Sequence, residues 1–486
     1  RLGVQSVQDS FEGHRAQRRG RAVGKGSWVV PEQSFLVIPP APVVHPKELS
    51  TLRLALTAVR NSLEIWPESA FDLTFSRNKV LGVENVLISD PAGIRHVMAE
   101  NAMNYVRPTI MPRLLRPLVG HGLFLAEGTE WRRQRRQLSS VFTPSSVSSL
   151  LPHFLAAAND LMDDIKGDQP VDLDDAYQGV ALNAVLRALF SLPDRKDRDR
   201  VGNVVRQYIT GPGRPQVLDG LARTETAFSF ALGGRRAFQK RWTALVDSIV
   251  ADRRRVAPGD APRDLLDLLF AARDPETGGS LSPAEIRDQA ATMIFAGYET
   301  TARLLFWASY LLTLDQREQL RVHAEVSAFP PNRIRDLKDL ENWPRLRMTL
   351  LETLRLYPPV PMLIREPLED DVILGEPVRR GVQVYIAPWV LHRHRKYWKE
   401  PTAFMPDRFA NQASPWTSGG GYMPFGAGPR ICIGAMFAMA EAQIILATLL
   451  HSHRLSMDDP RPLLPVGRLT TQPSHTPDFI LLPRQA

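Results

Sequence analysis

The sequence predicts a mainly α-helical fold with a smaller β region, in which one long helix crosses a helix-rich core. The chain has 486 residues, of which 44% are apolar and 23% charged, the balance of a folded globular protein. Helical periodicity dominates most of the chain, and only two patches are rich in β-forming residues. Ser282 and Glu285 form a capping-box pattern that opens an apolar segment reaching about Leu314. Since a mean helix has about 12 residues, this one is predicted to span the core.

The elements before this helix follow from caps and breakers. In order, the sequence predicts a strand at 86–89, a helix from Asp90–Pro91 to about Asn101, an irregular stretch at 104–124, a helix around Trp131–Val141, another starting at Thr143–Pro144, and amphipathic helices to about 270. Loops are predicted at 211–215 and 274–279, where glycine and proline cluster.

After the long helix, the sequence predicts paired strands at 372–388, a Pro/Gly-rich coil at 389–424 and final strands near 469–471 and 478–482. Residues 431–450 are apolar over almost the ~20 residues that span a membrane. Glu441 and Gln443 interrupt that run at mid-length, where a charge is costly in lipid. A buried helix is therefore predicted, and no transmembrane segment.

Charge and composition indicate one large domain with a basic tail. Residues 1–26 hold six basic and two acidic residues, about half of the net charge of +8. Residues 1–44 are predicted to be a disordered extension without the apolar core of a signal peptide, and 45–486 a single domain. The remaining charge is too weak to indicate nucleic-acid binding. A cytoplasmic, monomeric protein is expected.

Cys432 is the only cysteine, and it lies in the stretch FGAGPRICIG, residues 425–434. A single cysteine cannot form an intrachain disulfide, which suits a reducing compartment. Metal ligation and nucleophilic chemistry are the functional readings, and a buried small apolar residue is the plain alternative.

Three further patterns carry chemistry only in combination. In MIFAGYETT, residues 293–301, Ala296 and Gly297 remove bulk beside Glu299 and Thr300, which suits a proton relay next to a groove; a helix-packing glycine is the alternative. Glu352–Arg355 precedes the PDRF motif containing Arg408, and alone it reads as a surface ion pair. Trp131 and Arg135 share one helix face, where a surface stack is the alternative.

The order and spacing of these motifs resemble the cytochrome P-450 family of thiolate-haem monooxygenases, of the soluble bacterial type, over roughly residues 45–486. The cysteine loop meets every fixed position of the family motif: Phe425, Gly426, Gly428, Arg430, Cys432 and Gly434. Two departures keep the charge, namely Glu299 where bacterial members commonly have Asp, and Asp407 where many members have Glu. The resemblance assigns no substrate subfamily.

The resemblance implies a role for each motif around a haem b. Cys432 would be the iron ligand, with its pKa lowered by the start of the following helix, while Phe425 shields the sulfur and Gly434 lets the helix approach. The other implied roles are propionate binding by Trp131, Arg135, Arg365 and Arg430, an O₂ groove at Ala296 and Gly297, proton relay by Glu299 and Thr300, a buried charge triad of Glu352, Arg355 and Arg408, and substrate contact by Ile294, Phe295, Val360, Leu363, Leu469 and Thr470. For Arg107, Arg113 and Arg116 two readings are open: they anchor a substrate carboxylate, or they are solvated or bind haem or backbone groups.

The implied reaction inserts one atom of O₂ into a lipophilic small molecule. Electrons from NAD(P)H would arrive through a separate ferredoxin or flavodoxin-type donor with its reductase, since the chain has no Gly-x-Gly-x-x-Gly after a strand. Arg132, Arg133 and Arg136 are predicted to form a basic dock for an acidic donor. The alternatives are a peroxide-using or non-redox haem-thiolate enzyme, which has less need of a Glu–Thr relay, and a haem-based sensor or carrier.

Overall fold

A computed structural model describes residues 36–484, apart from 81, 166–168, 192–194, 215, 217–218, 220–221, 223, 256–262 and 412–420. The compact unit begins at Val37, which forms a β-bridge with Phe404. Residues 1–35 of the predicted extension lie outside the described residues.

Helices form most of the described chain. They are α1 (Thr51–Arg60), α2 (Pro91–Arg95), α3 (Ile110–Val119), α4 (Gly128–Ser139), α5 (Pro144–Asp164), α6 (Leu173–Phe190), α7 (Arg195–Thr210), α8 (Leu232–Arg254), α9 (Leu265–Ala271), α10 (Pro283–Leu314), α11 (Gln316–Ala328), α12 (Pro344–Leu356), α13 (Pro388–Leu391) and α14 (Ala435–Ser452). A π-helical turn, His96–Glu100, continues α2 toward the predicted end at Asn101. Short 3₁₀ turns include Pro406–Phe409 and Gly428–Arg430.

The strands are short and gather into four small sheets. They are β1 (Phe75–Val80), β2 (Val83–Ile88), β3 (Tyr105–Val106), β4 (Val171–Asp172), β5 (Leu363–Pro367), β6 (Asp371–Ile373), β7 (Glu376–Val378), β8 (Gln383–Ile386), β9 (His453–Met457), β10 (Pro465–Gly467), β11 (Thr471–Pro473) and β12 (Asp478–Pro483). The largest sheet has the order β1-β2-β8-β5-β3, and the others are β4-β12-β9, β10-β11 and β6-β7. Among the strands named here, β2 and β8 pair in parallel and the other pairs are antiparallel.

The long helix is confirmed. α10 has 32 residues, and the Ser282 hydroxyl and the Glu285 carboxylate make both bonds of the capping box. Residues 301–312 of α10 are fully buried, and the helix packs chiefly against α6. A helix this long and this buried provides a rigid frame on which the residues of its middle turn are fixed.

The irregular stretch predicted at 104–124 was wrong. It contains β3 and the ten-residue helix α3, whose Leu114, Leu115 and Leu118 enter the core. Two prolines and two arginines hid this helix, because the arginines are paired with distant carboxylates that the local sequence does not reveal.

The apolar segment near the C-terminus forms α14, which begins at Ala435. In the described part of the chain, α14 is the one helix that is both long enough and apolar enough to cross a membrane. Inside the molecule 72% of it is buried. It packs against α5, α10 and α11, as a core helix does.

Candidate active site

The cysteine loop has a backbone that only glycine allows at two positions. Gly426 and Gly428 have φ of +78° and +65°, which strain any residue with a side chain. A Cβ at Gly428 would also lie 2.0 Å from the Met98 carbonyl oxygen. The Cys432 N–H donates to the Phe425 carbonyl at 2.8 Å, which closes the loop immediately before Gly434 caps α14.

Cys432 is exposed to solvent, yet many protein atoms surround its sulfur. A residue that lines an internal space has both properties. Burial raises the pKa of the Cys432 thiol, while a hydrogen bond from the Gly434 N–H and the charge of Arg135 act in the opposite direction. The N–H at the helix start therefore lowers this pKa as predicted, but in the protein chain by itself burial outweighs that effect. Burial prevails because protein atoms surround the thiol closely and a single backbone N–H bonds it.

One face of the middle of α10 is only partly buried. Between Asp288 and Leu312, the residues that are not fully buried are Met293, Ala296, Gly297 and Thr300. They follow the i, i+3, i+4, i+7 spacing of a single helix face. This stripe, which we call the open face of α10, brings together the predicted Ala296, Gly297 and Thr300.

Ile294 was predicted from the sequence as an apolar substrate contact, but the apolar residue on the open face is the one before it. Ile294 is completely buried, so it turns away from the open face and its predicted substrate contact is corrected. Phe295 is also buried and stacks edge-on against Phe124, with ring centroids 6.2 Å apart. Met293, which the sequence reasoning missed, is the apolar residue on the open face. Helical spacing backward from Ala296 and Gly297 is the signal that would have found it.

Gly297 is small because another helix approaches it. A Cβ at this position would lie 2.9 Å from Val185 of α6. The packing alternative therefore explains the glycine, and because Gly297 also lies on the open face, its part in an O₂ groove stays a prediction. The Thr300 hydroxyl donates to the Ala296 carbonyl at 2.7 Å, and the helix continues through this turn without interruption.

Glu299 is buried and held in a network that points away from Thr300. Its carboxylate accepts from Arg303 Nε at 3.2 Å and from the Thr470 hydroxyl at 3.0 Å. Arg303 also pairs with Asp174, whose side chain reaches the surface. Thr470 thus holds Glu299, and its predicted substrate contact is corrected.

The remaining apolar positions of the predicted substrate site lie in three segments. Val360 and Leu363 are partly accessible, and Leu363 pairs with Ile386 where β5 meets β8. Leu469 is 37% exposed at a turn beside Thr470.

Three of the predicted propionate ligands stand with Arg107 and Glu127 in one cluster. Arg430 lies over the Trp131 ring at 4.5 Å and pairs with Glu127, which also accepts from Arg107 Nη1 at 2.7 Å. Arg365 is 7% exposed. Within the described residues no carboxylate forms an ion pair with it, and its guanidinium donates to the Ile364 carbonyl at 2.9 Å.

The charges of this cluster repel one another. Burial and then the charges of Arg107 and Arg430 lower the pKa of Arg365 to about 9, against the pull of Glu127. Burial likewise lowers the pKa of Arg430 to about 10. Arg135 is set apart, since burial lowers its pKa and the nearby Cys432 raises it. A buried arginine without a carboxylate is costly unless an anion arrives.

These residues fit a haem. The under-paired Arg365 offers its fork to a propionate, and Arg430 and Trp131 stand beside it. Cys432 offers a sulfur ligand, and Arg135 lies near that sulfur. When bound, a haem with a thiolate ligand supplies the chemistry of O₂ activation.

The predicted charge triad is present. Arg355 donates to both oxygens of Glu352 at 2.7 Å, and Arg408 Nε donates to Glu352 Oε1 at 3.3 Å. Arg355 also donates to the carbonyls of His392, Pro401 and Ala403 at 2.6–2.8 Å. The triad therefore fastens the coil after α13.

The other predicted arginine groups are neutralised. Arg133 pairs with Glu130 and Glu285, and Arg136 pairs with Asp274 and Glu276. Arg132 remains exposed, so the predicted dock reduces to one residue of that trio.

In the 104–124 stretch each of the three arginines forms an ion pair with an acid. Arg107 pairs with Glu127, Arg113 with Asp219, and Arg116 with Glu225. These pairs disfavour a carboxylate-anchoring role for the three arginines.

Comparison with known proteins agrees with this site. The cytochrome P-450 family model matches residues 74–477. Cyclooctatin synthase of Streptomyces melanosporofaciens is 30% identical over 342 residues, covering 69% of this chain and 72% of that protein. Cyclooctat-9-en-7-ol 5-monooxygenase of the same organism is 29% identical over 352 residues, covering 70% and 74%.

A solved structure, the cytochrome P450DA heme domain, superposes with a TM-score of 0.74 at 24% identity, covering 93% of this chain and 99% of that one. It establishes the fold, and the family model covers the cysteine loop, the triad and the long helix. The chain belongs to the cytochrome P-450 family and is a haem-thiolate monooxygenase.

Proposed function

We propose that this monooxygenase oxidises a lipophilic small molecule, with electrons from NAD(P)H delivered by a separate donor of the ferredoxin or flavodoxin type. The open face of α10 carries the proposal, because it presents two apolar residues, a glycine and a single hydroxyl to the space beside them. Val360 and Leu363 add apolar surface from β5 and the segment before it. A site lined in this way favours apolar ligands and offers few groups that would fix a polar one.

Thr300 is the proposed proton donor at this face. Its hydroxyl is bonded to the Ala296 carbonyl, so it can turn to a new acceptor at the expense of one hydrogen bond. Glu299 is proposed to supply protons from the surface through its network with Arg303 and Asp174. Since Glu299 and Thr300 lie on different faces of the helix, water would have to join them.

The names of two relatives support the substrate class. One is named for 5-monooxygenation of cyclooctat-9-en-7-ol, a cyclic alcohol, and the other for cyclooctatin. We extend to this chain only the general class of a lipophilic small molecule. The cytoplasmic location and the monomeric state stay predictions.

The test has two stages. The spectrum of the reduced, CO-bound protein should show the strongly red-shifted Soret band of thiolate ligation. Lipophilic compounds should then be screened for displacement of iron-bound water, and the best of them assayed for oxygenated product with ferredoxin and flavodoxin donors in parallel. Product formed with peroxide but with neither donor would contradict the proposal.

A further inference from the structure

The side chain of Glu127 makes unusual contacts for a residue that begins a helix. Glu127 occupies the N-cap position of α4, where a carboxylate ordinarily accepts from a backbone N–H of the first turn. Its side chain makes no such bond. It turns instead to Arg107 and Arg430, and so gives up a local contact for a distant one.

The surroundings of Glu127 contain more positive than negative charge. Arg107, Arg365 and Arg430 act on one another and on Glu127, so three cations share one carboxylate. The cluster therefore carries a net charge of about +2. The two propionates of a haem carry −2, and their arrival would balance the three arginines together with Glu127.

We infer that Glu127 is a positioning residue that holds Arg107 and Arg430 in the place of a haem propionate and competes with that propionate for their hydrogen bonds. The inference rests on the haem site and the function proposed above. Without haem, the negative charge of Glu127 offsets the repulsion between the two arginines. With haem, the propionate takes over part of their bonding.

The structure leaves room for this exchange. The Glu127 side chain is 31% exposed, and it lines a cavity of about 340 Å³ that opens to solvent. Arg116 lines the same cavity together with its partner Glu225, so a displaced Glu127 carboxylate would move into a solvent-connected space that already contains an ion pair. Arg365 lacks a carboxylate and needs no displacement to receive a propionate.

The experiment measures haem loss from the holoprotein to excess apomyoglobin. The variants are Glu127→Gln, which keeps the shape and removes the charge, and Glu127→Asp, which keeps the charge on a shorter side chain. Glu130→Gln is the matched control, because Glu130 lies on the same helix and pairs with Arg133 away from the cluster. Each holoprotein is also prepared with the dimethyl ester of haem, whose propionates carry no charge.

Glu127→Gln should lose natural haem more slowly by roughly tenfold, the effect of one unit charge about 6 Å away at an effective dielectric constant of about 40. It should lose the dimethyl ester at the wild-type rate. Glu127→Asp and Glu130→Gln should stay near wild type with both. The haem-free Glu127→Gln protein should unfold at a lower temperature, since Arg107 and Arg430 lose their partner.

Competition predicts that Glu127→Gln stabilises the haem-bound protein and destabilises the haem-free protein. An ordinary ion pair would stabilise both forms, so its removal would weaken both. Faster or unchanged loss of natural haem from Glu127→Gln would overturn the inference, and so would an equal slowing for the dimethyl ester. Wild-type protein that takes up no haem would instead count against the proposed function, so the two failures are distinct.

Discussion

Glu352 and Arg355 form a two-pronged ion pair with both arms at 2.7 Å, and neither side chain has any surface in contact with solvent. The pair lies one turn apart on α12, where a similar pair on an exposed helix would contribute little. Here it also holds the Met405 N–H and Arg408, so it links the helix to the coil before the cysteine loop.

The first prediction concerns this pair. Glu352→Ala should lower the free energy of unfolding by roughly 3–5 kcal/mol, because it leaves Arg355 buried without a counter-charge. Glu341→Gln, at an exposed glutamate just before α12, is the control and should change little. Denaturant unfolding of the haem-free protein measures both. Equal stability of the two variants would mean that the coil is held by other contacts.

The second prediction concerns the iron ligand. Cys432→Ala should abolish the red-shifted CO band while the arginine cluster still retains haem. Absorption spectra of the reduced variant, with haem content measured in the same sample, test this. Persistence of the thiolate band in that variant would refute the assignment, since no other cysteine exists in the sequence.

The third prediction uses two adjacent threonines with different surroundings. Thr300 lies on the open face, whereas Thr301 is buried and donates to Glu441 at 3.1 Å. Thr300→Ala should therefore uncouple the cycle, so that NAD(P)H is consumed while peroxide replaces product, and Thr300→Ser should restore coupling. General acid groups commonly contribute roughly 10²–10⁴-fold to a rate.

Thr301→Ala is the control and should lower stability without altering the product formed per NAD(P)H. Peroxide and product are measured in the same reactions. Wild-type coupling in Thr300→Ala would show that protons arrive without this hydroxyl.

The fourth prediction revises the electron-donor dock. Arg132→Glu should slow reduction by an acidic ferredoxin, and the slowing should fade as salt shortens the Debye length below ~8 Å. Arg133→Glu should instead destabilise the protein, because it would place a third acid against Glu130 and Glu285. Stopped-flow reduction and thermal unfolding separate the two effects. Salt-independent reduction in the wild type would place the dock elsewhere.

The fifth prediction concerns acid stability. Burial acts to raise the pKa of Asp219, but hydrogen bonds from Arg235 and Arg113 outweigh it and hold the pKa at about 2. Because the folded pKa lies below the unfolded value of about 3.9, the stabilisation is complete above pH ~4 and is lost as the pH falls toward 2.

Asp219→Asn should remove about 2 kcal/mol at neutral pH and flatten this part of the acid-unfolding curve. Asp247→Asn, at a half-exposed aspartate, is the control. An unchanged acid curve in Asp219→Asn would show that the Arg113 and Arg235 contacts persist without the charge.

The sequence predicted best where the signal is local. The capping box of α10, the Thr143 cap of α5 and the apolar helix after Cys432 were all predicted close to their true starts, because caps and periodicity depend on neighbouring residues. The helix α3 was missed, because Arg113 and Arg116 gain their partners from residues about 110 positions away.

Sequence motifs located the segments of the site, and the structure corrected which side chains of those segments face it. Ile294 and Met293 are adjacent in the sequence, yet one enters the core and the other the open face. Thr470 and Glu299 meet across 171 positions, and nothing local indicates that contact. Glu127 carried no sequence signal at all, since an acid before a helix reads as a cap.

The Glu127–Arg430 pair joins residues 303 positions apart in the sequence. A growing chain on the ribosome therefore completes helix α4 and its acid long before the arginine and the cysteine have been synthesised. Cofactor insertion must then be a late event in biogenesis, after nearly the whole polypeptide has emerged. Truncated translation products would keep a long, helix-rich body but could not retain haem through the thiolate, so cofactor content reports on complete synthesis.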